Sequence, residues 1–427
     1  MQRKTLLLLH FSVRKAPKSC RCAETGHNSI FFLERKRPLR RLQPAHFFLV
    51  PLLRIAVNTR FLLPELEGFG WYTHEIVRRM VLAHPEDEFI FLFDRPFDPR
   101  FIYAPNVTPV VLPPRARFAP LFYAWFEWSV RRALRRYRAE VFFSPDSMCS
   151  LSSEVPVLMT CHDLAPLHAP QQIPWIHRAY FLHFLPRFLR RADHVITVSE
   201  FVKQDIVTTC GLPAEQVSVV YNGCRAVFQP LTTDEQTQVR AEFSGGQPYF
   251  FYAGAIHPRK NIARLIRAFD RFKKKTGAPH QLLLAGRFAW KTEKVSAAFE
   301  DADHRADISL LGYISENNLA RLTASATALT YISLNEGFGL PMLEAMYCDT
   351  PVLAANATCL PEIAGNAALL VDPLSESDIA EGLEKLALNP ELARRLIENG
   401  RKQRLHFSWD TAATQIYSKL LQMRDEG

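Results

Sequence analysis

Ser333-Leu-Asn-Glu-Gly-Phe-Gly-Leu-Pro-Met-Leu-Glu-Ala-Met346 is the stretch on which the reading of this chain turns. The apolar run before it, residues 328–332, reads as a buried strand. Gly337 and Gly339 then make a tight turn, and Pro341 falls where the first helical residue belongs, which suits its fixed φ and missing N–H. A strand, a glycine turn and a helix start leave backbone N–H groups free at the positive end of a helix dipole, a ready site for phosphate. Glu336 stands just before the turn and Glu344 on the first helical turns after it. One carboxylate can face a sugar and the other a ribose, with a diphosphate on the amides between them. An acid ahead of a double-glycine turn is costly without a partner.

The run Glu336-Gly-Phe-Gly-Leu-Pro-Met-Leu-Glu344-Ala-Met resembles the E-x7-E signature of the retaining glycosyltransferases of family 4. Thr350-Pro-Val-Leu and Leu360-Pro-Glu-Ile-Ala-Gly-Asn-Ala-Ala-Leu-Leu-Val-Asp-Pro373 fit the same family, and the resemblance runs from about residue 54 to the C-terminus. Asp349 departs from the family, which prefers glycine there; aspartate tolerates left-handed φ, so it reads as a turn variant. The resemblance implies an α/β chain of GT-B fold. Two Rossmann-like, doubly wound domains would face a cleft, with the C-terminal helix crossing back to the first domain and the sugar nucleotide bound by the second.

Composition agrees with a large cytoplasmic protein. The 427 residues are 48% hydrophobic, enough for two or three cores. No apolar run approaches the ~20 residues needed to cross a bilayer. The eight cysteines are scattered without paired CxxC motifs, so neither zinc nor disulfides are expected. The net charge of +9 is confined to residues 1–50, and residues 51–427 are neutral. Global charge therefore says nothing of nucleic acid, and no nucleic-acid partner is expected. Residues 1–50 show no clear period and read as a disordered or spurious extension. A membrane-touching basic arm and a transit segment are the alternatives.

Residues 51–228 read as the first domain, 229–247 as a polar linker, 248–405 as the second domain and 406–427 as the returning helix. Strands are expected at 53–57, 88–93, 107–112, 155–160, 194–198 and from 217. In the second domain they are expected at 249–253, 281–285, 308–311, 328–332, 351–355 and 368–371. Strands alternating with helices imply parallel sheets. Glu67-Gly-Phe-Gly-Trp-Tyr-Thr73 reads as a glycine turn ahead of a helix over 73–83. It lacks the third glycine of a dinucleotide fingerprint, which weakens a nicotinamide or flavin reading. Residues 121–140 are aromatic early and basic late, and either pack on the sheet or lie on an anionic membrane surface.

The remaining site residues follow in part from position and in part from the resemblance. His162 ends a buried strand, where ligands of open α/β sheets collect. Arg259 and Lys260, in the loop opened by Gly254, can neutralise a diphosphate. By resemblance, Lys260 matches the family's lysine, and Arg259 must replace the arginine whose place Ala255 takes. The resemblance also makes Gly68 and Gly70 donor-facing, Tyr313 and Ile314 backbone readers of the base, and His162 a contact to the transferred sugar. Gly337, Phe338, Gly339 and Leu340 would hold the diphosphate, Glu336 the sugar hydroxyls and Glu344 the ribose.

The implied activity is transfer of a hexose with retention, without cofactor or metal. GDP-mannose is favoured as donor, because Arg-Lys-Asn with Glu-Gly-Phe-Gly-Leu-Pro resembles the mannosyltransferases of bacterial surface polysaccharides, lipopolysaccharide among them. The acceptor would be a glycan or lipid-linked oligosaccharide, reached from the cytoplasm with peripheral contact at the inner membrane. A sugar-nucleotide epimerase and a non-catalytic sugar-nucleotide sensor are the alternatives.

Overall fold

The computed structural model describes residues 53–173, 175–287 and 293–426. The basic extension lies outside them. The first domain holds seven strands: β1 Arg54–Asn58, β2 Glu88–Phe93, β3 Val107–Val111, β4 Val141–Ser144, β5 Val157–Cys161, β6 His194–Thr197 and β7 Val217–Val219. They form one parallel sheet in the order β3-β2-β1-β4-β5-β6-β7. The second domain holds β8 Tyr249–Ala253, β9 Gln281–Ala285, β10 Ile308–Gly312, β11 Ala328–Tyr331, β12 Val352–Ala355 and β13 Ala368–Val371. These too are parallel, in the order β10-β9-β8-β11-β12-β13.

Strands covered by helices on both faces must be apolar throughout, and β8 (Tyr-Phe-Phe-Tyr-Ala) is buried at every position. β4, a four-residue run that lies between β1 and β5 in the sheet, is not among the strands expected from sequence. Each sheet changes winding direction once, between β1 and β4 and between β8 and β11. A crevice opens at the carboxyl ends of strands at such a switch point. In the second domain the loops that flank it are 254–261 and 332–339, which carry the candidate cations and Glu336.

Three local departures from the sequence reading have physical causes. The first helix is Gly68–Ala83, five residues longer at its start than expected. Glu67 is extended (φ −124°, ψ 162°) and its carbonyl accepts from the Gly70 amide, so the two glycines form the first helical turn. Segment 229–247 carries the helix Thr233–Ser244, started by a reciprocal Thr232–Glu235 cap. It is tied to the second domain by Arg240 to the Ser325 carbonyl (3.1 Å) and Arg321 to Glu242 (2.7 Å). Residues 119–136 are helical throughout, but widen to a π-helical turn over Trp125–Val130.

The helix Trp409–Glu426 returns to the first domain. Arg79 meets Asp410 at 2.6 Å, the Tyr417 hydroxyl donates to Asp87 at 2.5 Å, and the Tyr417 ring stacks on His84. Asp349 has φ 54° and is held by Arg401 (2.7 Å) and Arg404 (3.2 Å), so it is the left-handed turn variant expected from sequence.

Candidate functional site

The chain leaves β8 through Gly254 and closes a single 3-10 turn, Pro258–Lys260, before Asn261 (φ 62°) starts the helix Ile262–Thr276. That turn delivers Arg259 and Lys260 to the loop after β11. The Leu334 amide donates to the Arg259 carbonyl (2.8 Å), which fastens the two loops together. Lys260 Nζ lies 2.5 Å from Glu336 Oε1 and 2.8 Å from the Tyr331 hydroxyl, with the Tyr331 ring below it at 4.9 Å. Arg259 reaches the other carboxylate oxygen, Oε2, at 2.9 Å and the Asn335 carbonyl at 2.9 Å. The structure thus brings together three of the four expected catalytic residues and supplies the partner that Glu336 required.

The charges in this cluster are mutually dependent. Burial raises the Glu336 carboxyl, but Lys260 and Arg259 more than reverse this and hold it down to about 2. Burial lowers the Lys260 ammonium further than Glu336 raises it, so the lysine has the weaker hold on its proton. Burial lowers Arg259 as well, yet Glu336 and Asp163 leave it above its ordinary value. Two cations grip the two oxygens of Glu336, with Asp163 of the first domain a further negative charge acting on both.

The turn after Glu336 supplies a second set of donors. Its own amide is used on Thr358 (3.3 Å), whereas those of Gly337, Phe338 and Gly339 donate no hydrogen bond among the described residues. Gly339 has φ 95°, which an L side chain rarely adopts, and the helix Leu340–Tyr347 follows with Pro341 as its second residue. A Cβ on Gly337 would stand 1.8 Å from the His162 carbonyl oxygen of the first domain. Glycine is therefore required where the two domains touch.

His162 follows β5 at that contact. Its Nε2 is 2.9 Å from the Pro145 carbonyl, an acceptor, so Nε2 carries the proton and Nδ1 keeps a lone pair. Burial lowers its pKa and keeps the ring neutral. Phe69 lies 4.8 Å from the His162 ring and Tyr72 4.6 Å, which brings the Gly68 and Gly70 turn to the same floor. Beside it, Arg60 and Asp146 form a buried pair at 2.8 Å at the ends of β1 and β4.

Glu344 does not join this cluster. Its carboxylate is 2.6 Å from Arg225, which also meets Glu316 at 2.8 Å and lies over the rings of Trp71 (4.6 Å) and Phe228 (4.8 Å). Tyr313 is exposed and Ile314 packs on the core after the left-handed Gly312. The sequence reading missed Arg225, Tyr331, Asp163, Ser199 and Glu362. The Ser199 hydroxyl donates to the Gly337 carbonyl (2.7 Å), and Glu362 accepts from the amides of Glu200 (2.8 Å) and Phe201 (3.0 Å) across the domain boundary. Ser199 carries a local signal as the cap of the helix Glu200–Cys210, Asp163 adjoins His162 at the end of the same strand, and Glu362 lies within the run 360–373; Arg225 and Tyr331 carry none.

Among the described residues, the one grouping spaced for a metal is His84, Glu86 and Asp87. It lies past the C-terminal end of the helix Gly68–Ala83, away from the crevice. There Asp87 already accepts from the Leu53 amide (3.0 Å) and the Tyr417 hydroxyl.

Comparison with known proteins accounts for both domains. A model described as Glycosyltransferase Family 4 matches residues 67–226, and one described as Glycosyl transferases group 1 matches residues 233–403. The O-antigen chain mannosyltransferase B of Escherichia coli is 27% identical over 85% of this chain and 98% of its own length. The O-antigen chain mannosyltransferase RfbU of Salmonella typhimurium is 28% identical over 66% of this chain and 74% of its own. The solved sucrose-phosphate synthase of Thermosynechococcus elongatus has a TM-score of 0.73 at 21% identity, over 88% of this chain and 100% of its own; at that identity it shows the fold. With one matched model over each parallel-sheet domain and the E-x7-E turn at the crevice between them, the chain belongs to glycosyltransferase family 4 and has the GT-B fold.

Proposed function

We propose that this enzyme moves mannose from GDP-mannose to a glycan or lipid-linked oligosaccharide of a surface polysaccharide, with retention. The observation that carries the reading is the Arg259–Glu336–Lys260 cluster beside the free amides of 337–339. A departing nucleoside diphosphate gains charge as the glycosidic bond breaks. Preorganised cations and amides stabilise that charge where water is excluded. This is the work a divalent ion performs in other sugar transferases, so the proposal assigns no metal.

Glu336 serves two stages. Before donor binds, it holds both cations in place. With donor present, it accepts from the sugar hydroxyls while Lys260 and Arg259 turn to the phosphates. Neutral His162 offers Nδ1 to a hydroxyl of the same sugar from the opposite domain. Glu344, set by Arg225, takes the ribose. The proposal gives neither carboxylate a covalent role: the leaving phosphate itself accepts the acceptor's proton on the front face. Mannose is supported by the names of the relatives, which are mannosyltransferases of O-antigen chains, and the GDP carrier by the resemblance of Arg-Lys-Asn with Glu-Gly-Phe-Gly-Leu-Pro alone.

A panel of nucleotide sugars tested for thermal stabilisation checks the donor. A ligand at 100 times its Kd adds about 2.7 kcal/mol. GDP-mannose should raise Tm above the shift given by UDP-glucose or UDP-galactose, with and without EDTA. A larger shift from a UDP-sugar would overturn the donor assignment.

A further inference from the structure

The first domain carries a surface that donor chemistry does not use. Residues 113–139 and 165–191 hold eleven arginines, no lysine and a single acid, Glu127. Glu127 is buried and spent on the Leu151 amide and the Ser152 hydroxyl, both at 2.6 Å. Residues 51–427 as a whole are neutral, so this is a segregation of charge within the fold. Arg131 and Arg135 pair with Glu154, and Arg191 with Asp193. Arg115, Arg117, Arg132 and Arg178 are exposed and make no ion pair among the described residues.

Large apolar side chains stand among these arginines. Trp175 is 73% exposed, and Phe118, Tyr123 and Leu182 are 41–45% exposed. Between the two helical stretches lies an apolar groove of about 430 Å³, walled by Ala119, Tyr123, Ile176, Ala179, Tyr180 and Phe184. Its aromatic walls are interlocked, with Tyr123 5.5 Å from Phe184 and Phe122 5.8 Å from Tyr180. Residues 119–136 and the helix Trp175–Arg191 follow β3 and β5, so their N-terminal ends lie at the carboxyl edge of the sheet, on the cleft side. Arg60, on the cleft floor, reaches toward them over Phe122 (5.1 Å) and Phe126 (5.5 Å).

We propose that this face docks on an anionic lipid bilayer, with Trp175, Ile176 and Tyr123 below the headgroups and an acyl chain in the groove. Unpaired arginines meet lipid phosphates, tryptophan and tyrosine favour the interfacial depth, and the groove takes apolar mass. Docking there sets the mouth of the cleft at headgroup level. The inference deepens the lipid-linked acceptor reading and rests on it for that choice of substrate; the surface itself does not depend on which sugar is transferred.

Sedimentation of the full chain with vesicles tests it. Wild-type protein should bind vesicles of phosphatidylcholine mixed with phosphatidylglycerol and not phosphatidylcholine alone. Arg115→Glu with Arg117→Glu and Arg178→Glu should lower that partition on the order of tenfold or more. Trp175→Ser with Ile176→Ser should lower it too, and both variants should keep the wild-type Tm shift with GDP-mannose. Lys36→Gln with Arg40→Gln and Arg41→Gln, in the basic extension, should leave most of the binding. Brominated acyl chains should quench wild-type fluorescence, and Trp175→Phe should lose most of that quenching. Patch variants that bind like wild type, or loss of binding with the extension variant alone, would overturn the proposal. So would a wild-type dimer that the patch variants turn to monomer without change in vesicle binding. Loss of the donor shift with vesicle binding intact would sink the donor reading and spare this one.

Discussion

Arg259, Lys260 and Glu336 are legible because chemistry and position coincide: two bases and one acid on loops that the strand order places at one crevice. Their mutual distances lead to predictions that separate them. Lys260→Ala should depress kcat by ~10²–10³-fold, as loss of an oxyanion donor does, and Arg259→Ala should act in the same sense but less severely. Glu336→Gln strips the counter-ion from the buried Lys260 and the half-buried Arg259 and should lower stability by about 3 kcal/mol, read as a fall in Tm that bound donor partly restores. Arg225 was not legible. It follows an ordinary Asn-Gly turn, and its partners lie 91 and 119 residues away in the chain. As the residue that positions Glu344, it should act on donor binding: Arg225→Met should raise donor KM on the order of tenfold with kcat kept, the effect of losing a charged hydrogen bond. Titration gives an independent check. The folded pKa of His162 lies below the 6.5 of an unfolded histidine, so the stability it supports is complete above pH 6.5 and lost as pH falls. Tm should fall from pH 7 to 5 less steeply in His162→Gln. His74, His194 and His280 are lowered in the same way by burial and account for the slope that remains. Parallel Tm curves would contradict the assignment.

At the scale of the element, apolar runs bounded by turn residues identified twelve of the thirteen strands. β4 escaped because Val141–Ser144 is too short to stand out. Glycines misled once, at 68 and 70, where a pattern read as a turn is the first turn of a helix. At 337 and 339 the same residue type was read correctly, yet the reason for Gly337 is tertiary and absent from its surroundings in sequence. Its Cα abuts the His162 carbonyl, so Gly337→Ala must part the loop from the first domain. A misplacement near 1 Å costs about 10²-fold, and kcat/KM for Gly337→Ala should fall to that extent with donor binding weakened. Gly339→Ala strains a backbone at φ 95° and should lower Tm as well. Wild-type kinetics in Gly337→Ala would show that the crevice opens wider than the contact implies.

For the whole molecule, the domain pair and the returning helix were legible through the resemblance, whereas the fasteners between domains were not. Ser199 to Gly337, Glu362 to the helix start at 200, and Arg287 to Glu67 (2.7 Å) join residues 138 to 220 positions apart. On the proposed function these fasteners should open for donor entry, on the microsecond to millisecond scale of domain motion. Ser199→Ala with Glu362→Gln should raise the radius of gyration in solution scattering, and saturating GDP-mannose should reverse the change. The central claim is retaining mannosyl transfer by a site of cations and amides. It is tested most directly by incubating the enzyme with GDP-mannose, a lipid-linked glycan fraction and EDTA, and reading the product's anomeric proton by NMR. The account predicts a mannoside with the donor's α configuration, formed in EDTA and lost in Lys260→Ala; a β-mannoside, or mannose trapped covalently on Glu336, would contradict it.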